Sequence, residues 1–277
     1  MNIMLEAVNE IVEKYEAKYG REYKVAIRLN RDIDEAKYFG FDVLNFAQQG
    51  WIDVVIPSSY WGSTDNDMPI AEWVSRLSDT GVDVWAGLEC DIITNPVWQT
   101  VGSLAGYTKQ YLGQGATKMY LYNLFGYGGK MTSRVCASIE MANAAERRSY
   151  VVTESNCTPY NAGFTQYDPL PISISATGSA SVTINHGDLI EDNQTVIFIA
   201  INGSTAPAIQ YNGVTCSYIG TTTNSTVHIS NATIAANLGT MLAYSVPATA
   251  IVGSTSGTVT ITANGVAITV NYLELMN

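Results

Sequence analysis

Residues 82–89 read VDVWAGLE, a nearly continuous apolar run closed by a carboxylate. A strand with one wet face alternates apolar and polar positions. A strand covered on both faces does not, and that is the condition of a parallel sheet. Glu89 follows the last apolar residue, so it is delivered at the carboxyl end of the strand, where parallel α/β folds bind ligands.

The same alternation extends to either side. Residues 69–80 (PIAEWVSRLSDT) have helical spacing, with Pro69 near the start and Gly81 as the stop; residues 99–112 form another helical stretch before Gly113 and Gly115. Further apolar runs lie at 23–29 (YKVAIRL), 51–57 (WIDVVIP) and 118–125 (KMYLYNLF). Further helical stretches cover 3–18, 34–49 and about 132–148. Four β/α units predict an α/β segment of parallel strands. A doubly wound sheet and a (β/α)8 barrel share this grammar, and the pattern leaves both open.

From Val151 onward the pattern changes. Short runs (ISIS, ASVTIN, TVIFIAING, APAIQYNG, TVHIS, MLAYSVP, GTVTITANG, ITVNYLEL) are separated by turn signals, including Asn-Gly pairs at 202–203, 212–213 and 264–265. This predicts an all-β antiparallel sandwich, immunoglobulin-like or galactose-binding-like. The Pro-rich stretch 167–171 (YDPLP) serves as linker, dividing the chain into residues 1–165 and 166–277.

Charge follows the same division: no Lys or Arg lies beyond Arg148, and the net charge is −11. An acidic chain without a basic patch is a poor partner for nucleic acid, which favours a neutral polymer such as carbohydrate. No 18-residue apolar run spans a membrane. Without a signal peptide the chain reads as cytoplasmic, although the Lys-free tail has the composition of a secreted module. The cysteines Cys90, Cys136, Cys157 and Cys216 have no zinc spacing and are expected to be free buried thiols.

The strand ends supply the candidate site. The first run gives Arg28 and Asn30, the second Ser58, Ser59, Tyr60 and Trp61, the third Glu89 and Asp91, and the fourth Tyr122 and Asn123. Carboxylates beside flat rings suit a sugar, because acids carry proton transfer or attack while rings stack on pyranose faces. The plainer reading of Glu89 is an ion pair with Arg28 or a helix cap. Trp51, Trp73 and Trp85 read as core, and Asp65 and Asp67 as a solvated turn rather than a calcium loop. Both histidines, His186 and His228, lie in the β-rich part, so the α/β part has no imidazole for a nucleophile–His pair or a zinc site. No dinucleotide or P-loop glycine pattern occurs, so neither cofactor nor metal is expected.

The ordered series VAIRL, FGFDVLNFAQQGWIDVVIPS, Asp67-Met68-Pro69-Ile70, VDVWAGLE, MYLYNLF and RRSYVVTE, then IQYNG, YSVP and VNYLEL, resembles uncharacterised bacterial glycosyl hydrolases with a family-10-like (β/α)8 barrel and a closing β-sandwich. The resemblance implies that residues 1–165 are half of a TIM-type barrel, matching strands five to eight. It implies a retaining glycosidase with Glu89 as nucleophile and Arg28, Asn30, Tyr60, Trp61, Asp91, Tyr122 and Asn123 contacting carbohydrate. The matching acid/base would then lie upstream of Met1. Two copies joining as a homodimer, an open sheet under helices, and a truncated product are the outcomes for a half barrel, with the dimer preferred. The alternative function is a non-catalytic carbohydrate-binding or structural remnant.

Overall fold

The computed structural model describes residues 2–59, 64, 66–89, 91–93, 97–123, 134–153, 169–190, 194–222, 238–251 and 253–277. Helix α1 (Asn2–Tyr19) leads into strand β1 (Ala26–Asn30). The stretch expected as one helix over 34–49 is two, α2 (Ile33–Tyr38) and α3 (Val43–Gln48). Gly40, at φ +90°, takes a left-handed turn that breaks the run. Asp42 then starts the second helix by accepting from the Asn45 N–H, as Asp32 starts the first from Asp34 and Glu35.

Strand β2 (Val54–Ser58), helix α4 (Ile70–Leu77) and strand β3 (Asp83–Leu88) follow as the pattern predicts. A small hairpin, β4 (Asp91–Ile93) with β5 (Val97–Trp98), has no counterpart in the sequence pattern. Helix α5 (Val101–Gly113) opens with a reciprocal Thr100–Ser103 capping box and precedes β6 (Lys118–Leu121). Within the stretch 132–148 expected as one helix, α6 (Ile139–Asn143) is a separate helix, because the Ser138 hydroxyl caps a new start at the Met141 N–H.

Strands β1, β2, β3 and β6 form one parallel sheet in chain order, without reversal. Ile27 lies opposite Val55, Val55 opposite Val84, Ala86 opposite Met119 and Leu88 opposite Leu121. This face meets the helices in two apolar clusters centred on Phe46, Trp73 and Leu77, and on Leu104, Tyr107 and Tyr111. The other face carries Arg28 beside Ile56, Ser58 beside Gly87, and Trp85 beside Lys118. It joins no apolar cluster among the described residues, although Val54 and Ile56 are buried.

The second half contributes β7 (Ser149–Thr153), β8 (Ile172–Ile174), β9 (Ser179–Asn185), β10 (Thr195–Asn202) and β11 (Ala208–Tyr211). Then come β12 (Val214–Thr215), β13 (Ser217–Thr221), β14 (Thr240–Val246), β15 (Ser256–Thr262) and β16 (Ile268–Met276). Two antiparallel sheets result: β13–β14–β10–β16–β7, with β8 also on β16, and β12–β11–β15–β9. They share one core, in which Ile197, Ile199 and Leu273 of the first meet Val182, Ile209, Val259 and Ile261 of the second. The protein is therefore mixed α/β, mostly antiparallel, with one parallel sheet. Asn212 (φ 51°) and Gly213 (φ 80°) form the two-residue turn of the β11–β12 hairpin, the left-handed pair that Asn-Gly supplies. The run TVHIS lies outside the described residues.

Strand β7 precedes the expected boundary at residue 165, yet it pairs with β16 and ties the two halves together. Helix α5 lies on it so closely that a Cβ at Gly106 would overlap the Ser149 carbonyl. Asn66 makes two hydrogen bonds to the backbone of Asn185, and the Gln110 amide donates to the Asn66 carbonyl. Cys136 and Cys216 are free and buried. No described helix is long and apolar enough to cross a membrane.

Candidate functional site

The carboxyl ends of the four parallel strands enclose a cavity of about 410 Å³. Arg28, Leu29 and Asn30 line it from β1, Ser58 and Ser59 from β2, Glu89 from β3, and Tyr122 and Asn123 from β6, with Phe41 contributed by the α2–α3 turn. Five predicted residues, Arg28, Asn30, Glu89, Tyr122 and Asn123, thus meet in one place. Parallel register explains this: strands starting at one end of a sheet also finish together, so their first loop residues converge.

Glu89 is 2% exposed, and its Oε1 accepts from Arg28 Nη2 at 2.5 Å. The plainer sequence reading, an ion pair with Arg28, is therefore present, and it occurs inside the cavity. The same guanidinium lies 3.7 Å from the centre of the Tyr122 ring, a cation–π stack contributing on the order of 0.5–2 kcal/mol. Its Nη2 also donates to the Ser59 carbonyl at 3.4 Å, while its Nε is buried without a hydrogen-bond partner. Arg28 so fixes the Glu89 carboxylate and the Tyr122 ring relative to each other. The pair offers a ligand an ordered acceptor beside an aromatic surface.

Two backbone features support this geometry. A Cβ on Gly87 would overlap the Ser58 hydroxyl, so only glycine lets β2 and β3 approach here. Asn123 takes φ 55°, a left-handed conformation that ends β6 at the cavity rim.

Other expectations separate from this cluster. Asp91 begins β4, its carbonyl accepts from the Thr64 hydroxyl at 3.0 Å, and it does not line the cavity. Tyr60 and Trp61 lie outside the described residues, as does Asp65. Asp67 is held by Arg31 Nη2 at 2.6 Å, in the loop before α4. Trp73 is fully buried and its Nε1 donates to the Arg31 carbonyl, in keeping with a core role. Among the described residues, Glu89 is the one carboxylate lining the cavity, and no group of three or more metal-binding side chains occurs. The sequence reading missed Phe41; the Gly40 break beside it was the available signal.

His186 is a buried histidine of the second half. Its Nδ1 lies 2.7 Å from the Gly187 carbonyl and its Nε2 2.7 Å from the Tyr211 hydroxyl, so a neutral ring donates to the first and accepts from the second. Burial lowers its pKa, partly offset by the Gly187 carbonyl and Asp188.

Fold and site together define an α/β protein with a cavity at the ends of its parallel strands, joined to an antiparallel β unit. No family model and no curated protein matches the chain. Among solved structures, a variant of BuGH86 in complex with neoagarooctaose is 11% identical over 47% of this chain and 19% of that chain, with a TM-score of 0.28. Wild-type BuGH86 in the same kind of complex gives 11%, the same coverage and a TM-score of 0.27. A β-porphyranase of glycoside hydrolase family 86 from the human gut bacterium Bacteroides plebeius is 10% identical over 99% of this chain and 73% of its own, at a TM-score of 0.28. The matched region spans 19% of the BuGH86 chain. The distant structural neighbours are glycoside hydrolases.

Proposed function

We propose that this protein binds carbohydrate in the strand-end cavity and is built as half of a glycoside hydrolase-type barrel with a β-sandwich accessory unit. The observation that carries the reading is the Glu89–Arg28–Tyr122 arrangement, flanked by Asn30, Ser58, Ser59 and Asn123. A sugar ring has apolar faces and a rim of hydroxyls. Tyr122 and Phe41 suit the faces, and the carboxylate, amides and hydroxyls suit the rim. Arg28 spends its charge on Glu89, and the net charge of −11 repels phosphate esters, which disfavours nucleotides.

The half-barrel reading is supported by strand order that follows the chain and by helices on one face. The shared core of the two antiparallel sheets supports the sandwich. Glu89 is the residue assigned to catalysis, and a single described carboxylate is half of what glycoside hydrolysis uses. The reading for one chain alone is therefore binding without turnover, with dimerisation through the sheet edges as the route to a complete site.

Titration of the protein with oligosaccharides from glucan, xylan, mannan and galactan, followed by NMR, tests this. Shifts at Tyr122, Asn123 and Asn30 that vanish in Tyr122→Ala are expected. Binding of NAD or ATP in the cavity, with no response to any sugar, overturns it.

A further inference from the structure

The parallel sheet is unfinished in three ways. Among the described residues its outer strands, β1 and β6, pair only with β2 and β3, and neither makes a backbone hydrogen bond on its outer edge. Both edges are regular, lacking the bulges or extreme shortness that normally discourage pairing. The face away from the helices holds Arg28, Ile56, Trp85 and Tyr120 with no apolar cluster over it among the described residues, and the Trp85 Nε1 is buried without a hydrogen-bond partner. Finally, α1 buries only Leu5 while Ile3, Met4, Ile11, Tyr15 and Tyr19 are exposed. Met4, Ile11, Tyr15 and Tyr19 share one helix face, the kind that covers a strand seam.

One occupant satisfies all three. A two-fold axis along the strands keeps every strand parallel, so β6 of one copy meets β1 of another in the same kind of pairing the sheet already uses. Four strands plus four close a barrel. The axis turns the uncovered faces inward and sets each α1 over a new seam.

We infer that a second copy of this chain completes the cavity and that the two Glu89 side chains form its carboxylate pair. This rests on the carbohydrate reading above and supplies a second carboxylate beside the one that lines the cavity among the described residues. The third strand of each copy falls diametrically opposite its mate, the widest separation a barrel allows. That separation suits inversion, in which the carboxyls stand about 6.5–9.5 Å apart with water between, rather than the closer pair of a retaining site. One Glu89 is protonated and gives its proton to the glycosidic oxygen as the C–O bond breaks. The opposite carboxylate takes a proton from the water whose oxygen bonds to the anomeric carbon.

Light scattering on the full chain is expected to give twice 30.0 kDa. Ile11→Lys with Tyr15→Lys, both exposed in a single copy, should halve that mass and abolish hydrolysis while oligosaccharide binding persists. Wild type re-assorted with an equal amount of Glu89→Gln should retain about a quarter of the hydrolysis, because only dimers with two carboxylates act. Retention of about half, as expected for independent sites, overturns the shared pair while leaving the dimer and the binding site intact. A monomer at all concentrations, or a dimer that cleaves none of the four glycans, also overturns it. Loss of sugar binding by the wild type defeats the earlier reading instead.

Discussion

The parallel sheet and the antiparallel pair are both β-structure, yet they solve the problem of covering a sheet in different ways. The antiparallel sheets cover each other: Ile197, Ile199, Val259 and Ile261 face inward across one core, and the outer face of the larger sheet is further packed by α5 and Ile92. Three of their outer strands are also blunted, since β12 has two residues, β13 carries a register shift near Gly220, and β7 lies under α5. The parallel sheet has one face under helices, and among the described residues its other face and both edges carry no apolar cluster or further strand. The lesson is a contrast in packing: the second half covers its own sheets, while the first holds the strand-end cavity for which binding is proposed.

That contrast can be broken by experiment. The largest effect is expected in the antiparallel core: Ile199→Ala should cost about 2–5 kcal/mol, read by urea unfolding, because the site is fully enclosed and cannot collapse. An effect as small as a surface substitution would deny that this core holds the second half together.

Glu89→Gln should cost less, about 1–3 kcal/mol, since it leaves a guanidinium that is still 28% exposed to water. Its effect on sugar binding or turnover should be far larger than its effect on unfolding. Equal loss of both would mean that Glu89 is structural only. Gly87→Ala should cost about 1–3 kcal/mol by forcing the Ser58 side chain away, and should weaken ligand binding through Ser58 without touching Glu89.

The second half also has a pH-dependent element. The His186 pKa lies below its ordinary value, lowered by burial and by Lys109 and raised by Gly187 and Asp188. Below about pH 6.5 the unfolded chain takes up a proton that the folded chain refuses, so the stability contributed above that pH is lost as pH falls. The melting temperature should drop between pH 7 and 5 more steeply for wild type than for His186→Gln. Parallel slopes would exclude the histidine as the cause. The smallest effect is expected at the β11–β12 turn, where Gly213→Ala at φ 80° should cost about 1 kcal/mol.

Much of the site was legible before the structure. Arg28, Asn30, Glu89, Tyr122 and Asn123 each lie in or just after the C-terminal part of an apolar run, and parallel register brings such residues together whatever lies between. Phe41 was not legible, because it enters from a turn between two helices that periodicity had joined into one. Asp91 follows Glu89 by two residues but departs into a hairpin that short polar stretches do not announce. The Arg28–Glu89 ion pair was foreseen as an alternative to function, and it lies inside the cavity.

The sequence by itself determined that parallel strands and helices come first and antiparallel strands second, because periodicity and turn chemistry are local and need no partner. It also determined which residues stand at the strand ends. Only the tertiary structure decided that the parallel strands keep chain order with helices on one face, that β7 crosses to pair with β16, and that Glu89 is the one carboxylate lining the cavity among the described residues. Those depend on which surfaces exclude water from each other across long stretches of chain, and no local pattern encodes that choice.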